Sequence, residues 1–479
     1  MSTSAATGFC RVTVVAPDSR IDVALPDDIA VADVYPEILR LTGQTQPVGA
    51  PTGYHLVRRD GTVLDSARSL AAQRILDGDL LSLRPFAESL PPAVHDDVTD
   101  AVAAAVTRDR TLWNDRLLRA WGLAGGALLL ALMGFALWFA DPARHDTHGV
   151  PGAVAAAVGV LLTALAGVRA RVYADRASAV ALGLAALPHL MIAGSGVLGP
   201  AAGEGAGRLQ FLLGCAAVLV ASAALVAVMP AGDAPFVAAL TTAATGTFAA
   251  FCVILTDSRP ADAAAVCAVV AIGAIAFLPG LSARVARLPI GYAAPRGAGS
   301  DDLADRGQTP EPVDAERIAA QVRRGHELLL GLVGGCAAVV VGSTAVLAFT
   351  SAGGPWPRLL ALAAGLAMLL RARLFRYTAQ VAAVLGAGLA ALALLVLGLA
   401  LQPPAGADGS LDVRTLWVAA AVTLGGALLT TVALVVPEKG LSPFWGRVSD
   451  LAESTLLLAL VPLCLAVLGL YSAARGLAG

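Results

Sequence analysis

Few residue patterns in this chain could support chemistry, and the first is a glycine motif. Gly194, Gly196 and Gly199 follow the order GxGxxG, which in dinucleotide-binding proteins lets a pyrophosphate approach the backbone. That role requires a strand before the glycines and a helix after them. Here the motif ends a long apolar stretch, so we expect close helix packing or a loose helix end instead of a nucleotide site.

The second pattern is a histidine pair with a carboxylate between its members. His145, Asp146 and His148 could offer nitrogen and oxygen ligands to a metal ion. Two further ligands would be needed to complete a site, and none follows nearby in the sequence. A solvated loop is therefore the favoured interpretation, and no metal or other cofactor is predicted.

Titratable groups deep in the apolar stretches are the mark of pumps and ion-coupled transporters. His189 is the one such group here, and it follows Pro188, which frees a backbone carbonyl one turn earlier. It could relay protons or could be a neutral histidine bonded to a neighbouring helix. Four carboxylates lie at the ends of apolar stretches, where we expect them to reach interfacial water: Asp233, Asp262, Glu327 and Glu453.

The elements that position these residues are about eleven apolar stretches of roughly twenty residues, the length of a membrane-spanning helix. The chain has 57% hydrophobic and 14% charged residues, with a mean hydropathy of +0.74. We therefore predict a polytopic membrane protein. The predicted spans are 120–140, 150–168, 178–199, 209–229, 234–255, 261–281, 328–350, 355–370, 377–401, 414–436 and 453–474. The eighth is the weakest because it is short.

Basic residues in the loops predict the orientation, since positively charged flanks resist translocation. With a cytosolic N-terminus, the inner loops hold fifteen: Arg169, Arg171, Arg176, Arg284, Arg287, Arg296, Arg306, Arg317, Arg323, Arg324, Arg371, Arg373, Arg376, Lys439 and Arg447. The outer loops and tail hold six: Arg144, Arg208, Arg259, Arg358, Arg414 and Arg475. An odd number of spans places the C-terminus outside. Omitting the eighth span would reverse everything after it, which favours keeping it.

Other compositional features exclude several classes of protein. The net charge of −2 and the lack of a run of like charge give no indication of nucleic-acid binding. Five of the six cysteines lie in apolar stretches without a CxxC pair, so we expect small buried side chains and not disulfides or metal ligands. No basic segment followed by an apolar one begins the chain, so no secretory signal is predicted.

The N-terminal region alternates apolar and polar residues and predicts a small mixed domain over 1–86. Val12 and Val14 are followed by Ile21, Val23 and Leu25 on one face of a hairpin. Val31, Val34, Ile38 and Leu41 then recur at helical spacing, with Gly43 as the C′ residue. Three further strands are predicted around 54–57, 62–64 and 80–83. The order ββαβββ is that of a ubiquitin-like β-grasp domain.

Two polar segments connect these parts. Residues 87–119 predict a linker with a helix against the membrane surface, and residues 282–327 form the longest loop between spans 1–6 (120–281) and spans 7–11 (328–479). The middle of that loop, 295–312, is expected to be mobile, and 315–328 to form a polar helix. A mere connection needs fewer residues, so we expect the loop to contact a cytosolic partner. The candidate partner-contact residues are Arg284, Arg287, Arg323, Arg324 and Arg447.

This combination resembles the EccD family, the polytopic membrane component of type VII (ESX) secretion systems in actinobacteria. The residues that carry the resemblance are Arg11 to Val14, Leu25 to Asp28, the Leu70 to Leu83 stretch with Asp77-Gly78-Asp79, and the tail from Ser442-Pro443 through Arg447, Asp450, Glu453 and Pro462 to Leu470-Tyr471. The resemblance covers the whole chain.

The resemblance implies a non-catalytic scaffold of the cell membrane. It implies that two copies pair around a lipid-filled enclosure, joined by EccB, EccC and EccE subunits, and that the EccC ATPase supplies the energy. The alternative is a secondary transporter with a regulatory cytosolic domain, which an odd span number and the scarcity of mid-membrane charge disfavour. A peptide channel would need a polar lining, which the spans lack.

Overall fold

The computed structural model divides the chain into two compact units, Met1–Trp113 and Asn114–Gly479. It describes residues 8–44, 53–85, 97–99, 102, 113–288, 315–402, 411–439 and 442–477, with gaps at 18, 202–203, 231 and 352–353. Most of the predicted 87–119 linker helix and the predicted mobile segment 295–312 lie outside these residues.

The first unit is a four-stranded sheet with one helix. Its elements are β1 (Phe9–Val15), β2 (Arg20–Pro26), α1 (Val31–Leu41), β3 (Tyr54–Arg58) and β4 (Leu80–Pro85). The strand order is β2-β1-β4-β3, with β1 antiparallel to β2 and parallel to β4, and β3 antiparallel to β4. This is the predicted ubiquitin-like fold.

Alternating burial in the strands builds the core of this unit. Val12, Val14 and Leu81 are almost fully buried, and they pack on Ile38 of α1 and on Leu56 of β3. Helix α1 ends at Leu41, and Gly43 follows as the predicted C′ residue, whose φ of +69° suits a residue without a side chain. Leu41 is the last residue of this helix and is 41% exposed, unlike the buried Val31, Val34 and Ile38.

The predicted strand at 62–64 is also wrong. Val63 forms only an isolated bridge with Val57, although the Leu64 amide donates to the Leu56 carbonyl at 2.8 Å. Pairing stops at Asp65, because its amide donates to the Gln73 side chain and its carboxylate accepts from the Ala67 amide. Local side-chain hydrogen bonds replace the ladder there.

The second unit is a bundle of long apolar helices. They are α2 (Asp115–Trp138), α3 (Val150–Arg171), α4 (Arg176–Ser195), α5 (Arg208–Val228), α6 (Ala234–Thr256), α7 (Pro260–Ala274), α8 (Leu278–Val285), α9 (Ala315–Phe349), α10 (Trp356–Arg371), α11 (Thr378–Leu401), α12 (Leu411–Lys439), α13 (Pro443–Val467) and α14 (Leu470–Leu477). Within the described ranges, nine helices are long and apolar enough to cross a bilayer, or ten if α7 and α8 form one span.

Two predicted spans have different boundaries in the structure. The span expected at 261–281 bends by 68° between α7 and α8, because Pro279 cannot continue the helical hydrogen bonds. The last span was expected from 453, but α13 begins at Pro443 and ends at Val467, before Gly469 with a φ of +71°. Asp450 and Glu453 lie in the first three turns of this helix, and their charges made the segment before 453 too polar to be predicted as part of a span.

Helix α10, the weakest predicted span, runs between the two ends of the bundle. It has only 16 residues. At its start, Arg358 donates to the Gln402 carbonyl beyond α11. Just after its end, the ring of Tyr377 lies 4.1 Å from that of His326 near the start of α9. Because α9 and α11 each run the length of the bundle, these contacts place the two ends of α10 on opposite sides.

Candidate partner-binding surfaces

Arginine–carboxylate pairs gather at one end of the bundle, which we call the basic end; it carries Arg119, Asp175, Asp233, Arg324 and Arg373. The opposite end is called the far end. Several pairs at the basic end join different helices, so each fixes one helix end against another. This arrangement determines which charges remain for an outside partner.

The most enclosed pair is Asp233 with Arg324. The guanidinium Nη1 of Arg324 lies 2.6 Å and 2.7 Å from the two carboxylate oxygens of Asp233, whose side chain is fully buried. The expectation that Asp233 reaches interfacial water was wrong: it meets an arginine of α9 instead. A buried carboxylate needs such a partner, because its desolvation is otherwise very costly.

The other three carboxylates at span ends are also paired. Glu327 accepts from the Gly232 amide at 2.9 Å and lies 3.7 Å from Arg176. Asp262 binds Arg259 at 2.6 Å, and Glu453 lies 3.3 Å from Arg373. Each of the three side chains is less than one fifth exposed. Glu327 and Glu453 therefore tie different helices together, whereas Asp262 pairs with the residue that caps its own helix.

Asp175 joins the first three membrane helices at the basic end. It caps α4 by accepting from the Ser178 amide at 3.2 Å, hydrogen-bonds Arg119 of α2, and lies 3.9 Å from Arg169 of α3. The hydrogen bond with Ser178, and then the two arginines, hold the pKa of Asp175 below its usual value. The carboxylate is therefore ionised at neutral pH.

The five candidate partner-contact arginines separate into two groups. Arg324 is engaged within the chain by Asp233. The other four are exposed: Arg284, Arg287, Arg323 and Arg447. Arg284 and Arg287 flank Ala286, which lies against Gly325 of α9, so they belong to the basic end. These four side chains remain available to a partner.

His189 is completely buried in α4. Its Nδ1 lies 2.8 Å from the Ala185 carbonyl of the same helix, so the predicted bond to a neighbouring helix was wrong. Among the described residues, no group hydrogen-bonds to Nε2, which faces α2 at Gly134. The ring thus packs between two helices without a visible chain of proton carriers.

The other two sequence patterns lie in the far-end loops. His145 Nδ1 lies 3.2 Å from the Trp138 carbonyl and His148 Nδ1 lies 2.9 Å from the Gly196 carbonyl, so both rings fasten the loop to helix ends. A side-chain carbon on Gly194 would lie 2.6 Å from the Leu213 carbonyl. That spacing confirms close packing of α4 against α5 as the reason for this glycine.

Glycines four residues apart, a spacing that permits close helix approach, occur on both α2 and α9 but have different surroundings. At Gly331 and Gly335 an added side-chain carbon would lie 2.5 Å and 2.6 Å from α6 atoms, so these glycines let α9 approach α6. An added side-chain carbon at Gly122 or Gly126 on α2 would meet no atom within 4 Å outside the backbone of its own helix, among the described residues. The same sequence pattern therefore marks an internal contact in one helix and an open face in another.

Two helices have long uncovered sides. In the most apolar 18-residue stretch of each helix, only 6% of the residues of α2 and none of those of α12 are buried among the described residues. Helix α12 is held at its start by Arg414, which donates to the Leu399 carbonyl. Both helices offer apolar surface to lipid or to another membrane protein.

An apolar groove of about 970 Å³ lies among α4 to α7 and α9. Its walls include Met191, Cys215, Gly246, Cys267 and Val346. The Thr242 hydroxyl in the wall donates its proton to the Ala238 carbonyl at 2.8 Å. The lining is mostly apolar, so this groove suits hydrocarbon.

Sequence reasoning missed the pairing of Asp233 with Arg324. The signal was present in part: an acidic residue stands just before an apolar stretch, and arginines stand in the polar helix before another. Nothing in the sequence relates these two positions, which are 91 residues apart.

Comparison with known proteins gives consistent matches over both units. The EccD-like transmembrane domain family matches residues 118–477, and the family of YukD, a protein of the WXG100 secretion system, matches residues 9–83. The ESX-4 secretion system protein eccD4 of Mycobacterium tuberculosis, in strains CDC 1551 and H37Rv, is 30% identical over 98% of both chains.

Two solved structures share the fold. Protomer 1 of the ESX-3 core complex matches with a TM-score of 0.59 and 21% identity over 97% of this chain and 100% of that chain. A chain of the MycP5-free ESX-5 inner membrane complex matches with a TM-score of 0.55 and 22% identity over 89% of this chain and 99% of that chain.

Proposed function

This chain belongs to the EccD family, the multi-pass membrane components of type VII (ESX) secretion systems, and we propose that it serves there as a non-catalytic scaffold. In this role it pairs with a second copy and holds EccB, EccC and EccE type subunits in the cell membrane. Energy comes from the EccC ATPase and not from this chain. The division into 1–86, 87–119, 120–281, 282–327 and 328–479 assigns attachment to the cytosolic parts and the enclosure to the helices.

The observation that carries the proposal is the unequal use of arginine at the basic end. Arg324 and Arg373 tie helices together, whereas Arg284, Arg287 and Arg323 are exposed. Ion pairing within the bundle explains the presence of Arg324 and Arg373 but not that of the three exposed arginines. Exposed guanidinium groups at one end favour binding of a partner with acidic side chains.

Pairing with a second copy is supported by the uncovered sides of α2 and α12. Membrane helices associate through van der Waals packing of small residues, and Gly122 and Gly126 on α2 have nothing within 4 Å. A second copy would cover such a face, and lipid would fill the space between the copies.

The proposed orientation places the basic end in the cytosol, with the N-terminus inside and the C-terminus outside. The excess of arginine at that end supports it. Alkaline phosphatase and green fluorescent protein fusions at each terminus test this point. Finding both termini in the same compartment would contradict it.

The experiment for the scaffold role is co-purification from an actinobacterial cell with an ESX system. We expect a tagged chain to bring the ATPase and the other subunits with it, and the double variant Arg323→Glu, Arg447→Glu to lose at least half of the ATPase. Arg144→Glu, an exposed arginine at the far end, is the matched control.

Two results would contradict the proposal. One is migration of the native protein as a free monomer while export continues without it. The other is uptake of a small solute by proteoliposomes that contain the chain alone, which would favour a transporter.

A further inference from the structure

Arg371 at the end of α10 is a buried cation without a partner in the described structure. Its residue is 6% exposed, and no hydrogen-bond acceptor lies within reach of its Nε. No carboxylate of the described residues lies within 4.0 Å of its guanidinium, although every other arginine tie at the basic end has one. Burying an ionised group in this way is costly unless an anion accompanies it.

The nearby carboxylates are already engaged. Arg373 lies 3.0 Å from Asp450 and 3.3 Å from Glu453, so one guanidinium holds both acidic side chains of α13. Glu453 acts on Arg371 only from beyond ion-pair distance. Arg371 therefore has no carboxylate of its own at this place, because Asp450 and Glu453 are paired with Arg373.

A second donor without a partner lies in the first turn of α11. Gln380 is 1% exposed, and its Nε2 has no hydrogen-bond acceptor among the described residues. Arg371 and Gln380 thus stand on either side of the short turn between α10 and α11, both as buried donors. Among the described residues the turn therefore has more donors than acceptors, and Arg371 is the one of the two that carries a charge for an anion to balance.

The turn has the composition of a membrane interface. Leu374 and Tyr377 are 54% and 60% exposed, and Arg373 and Arg376, each next to one of them in the sequence, are also exposed. Tyrosine and arginine beside exposed aliphatic groups are typical of the headgroup region of a bilayer. From 371 to 380 there are three arginines and no acidic residue.

We propose that Arg371 binds the phosphate of an anionic phospholipid at the basic end of the bundle. Its guanidinium neutralises the phosphate charge, and the acyl chains lie along the apolar surface beside Leu374. Bound lipid would then hold the α10–α11 turn in place and link the subunit to anionic regions of the membrane.

The test uses the full chain, stripped of lipid in detergent and titrated with phosphatidylglycerol, phosphatidylcholine or inorganic phosphate. Native mass spectrometry counts bound lipid, and thermal unfolding reports protection. We expect phosphatidylglycerol to bind more tightly than phosphatidylcholine and Arg371→Gln to weaken its binding about tenfold, the loss of one charge-assisted contact. The exposed neighbour Arg376→Gln is the control, with a change of less than about threefold.

Arg371→Lys is the second variant, in case Arg371→Gln does not fold; it keeps the charge, so it should still bind phosphatidylglycerol more tightly than phosphatidylcholine. Three results would overturn the proposal. The first is that Arg371→Gln and Arg376→Gln weaken phosphatidylglycerol binding equally, and the second is that inorganic phosphate protects the chain as well as phosphatidylglycerol does. The third is that Arg371→Gln binds lipid as the wild type does but loses an acidic protein partner from the co-purified complex.

Discussion

The N-terminal unit and the membrane bundle bury different kinds of side chain. The first encloses large aliphatic groups such as Leu56 and Leu81, both 0% exposed. The interior of the bundle includes many alanines, such as Ala265 and Ala364, also 0% exposed, while Phe248 and Leu255 on its surface are 70% and 74% exposed. The N-terminal unit therefore buries its large apolar side chains, whereas the bundle buries small ones and exposes many of its large ones.

The difference teaches which force acts in each solvent. In water, large apolar side chains are driven inward because their exposure costs free energy in proportion to area. In lipid that force is absent between helices, so association depends on close backbone approach and on polar ties. The glycines of α9 and the ion pairs of the basic end supply these two contributions.

The largest effect is expected from breaking the buried tie of the bundle. Arg324→Met leaves the buried Asp233 without a partner and should cost about 3–5 kcal/mol. The unfolding free energy in detergent micelles measures the loss. Arg323→Met, at the exposed neighbour, should change it little. Equal stability of the two variants would show that the ion pair contributes nothing to the bundle.

The next effect concerns the core of the N-terminal unit. Leu81→Ala removes a fully buried side chain and should cost about 3 kcal/mol. Hydrogen exchange of the β1 and β4 amides in the full chain measures it. The control is Val63→Ala, at a side chain that is 52% exposed, and its exchange should match the wild type. Unchanged exchange in Leu81→Ala would refute the hydrophobic account.

A smaller effect separates the two glycine pairs. Gly335→Ala places a carbon 2.6 Å from Thr241 Cβ and should cost about 2 kcal/mol through overpacking. Gly126→Ala has nothing within 4 Å and should be neutral in the monomer. Thermal unfolding of both variants in detergent measures the difference. If both lose stability equally, close approach of α9 and α6 is not the cause.

The smallest effect depends on pH at Asp175. Asp175→Asn keeps a capping oxygen but loses the charge beside Arg119 and Arg169, which are about half exposed, so we expect a loss of about 0.5–1 kcal/mol at neutral pH. Because the folded pKa is lowered, the carboxylate stabilises the fold above its unfolded pKa of about 3.9, and this contribution disappears as pH falls through the folded pKa.

The unfolding free energies of wild type and Asp175→Asn, measured across pH 2–7, test this direction. The range brackets the ordinary aspartate pKa of about 3.9. The two curves should converge at the acidic end. Asp257→Asn is the control, because the Asp257 side chain is 91% exposed in its pair with Arg208. A difference that grows in acid would contradict the assignment.

Much of the fold could be predicted because its signals are local. Alternation in β1, the helical spacing of Val31, Val34 and Ile38, and the long apolar stretches each depend on neighbours within a few residues. The errors arose where side-chain partners decide. Gln73 takes the Asp65 amide next to the predicted strand at 62–64, and the charges of Asp450 and Glu453 near the start of α13 are paired with Arg373, which is far away in the sequence.

The sequence by itself determined the class of protein, the two units and the approximate positions of the spans, because hydropathy over roughly twenty residues is enough to select membrane insertion. It did not distinguish Gly331 from Gly126, or Arg324 from Arg323. Only the tertiary structure decided which glycine meets another helix and which arginine meets a buried carboxylate. These contacts depend on how helices far apart in the chain come to lie side by side, and no local pattern records that.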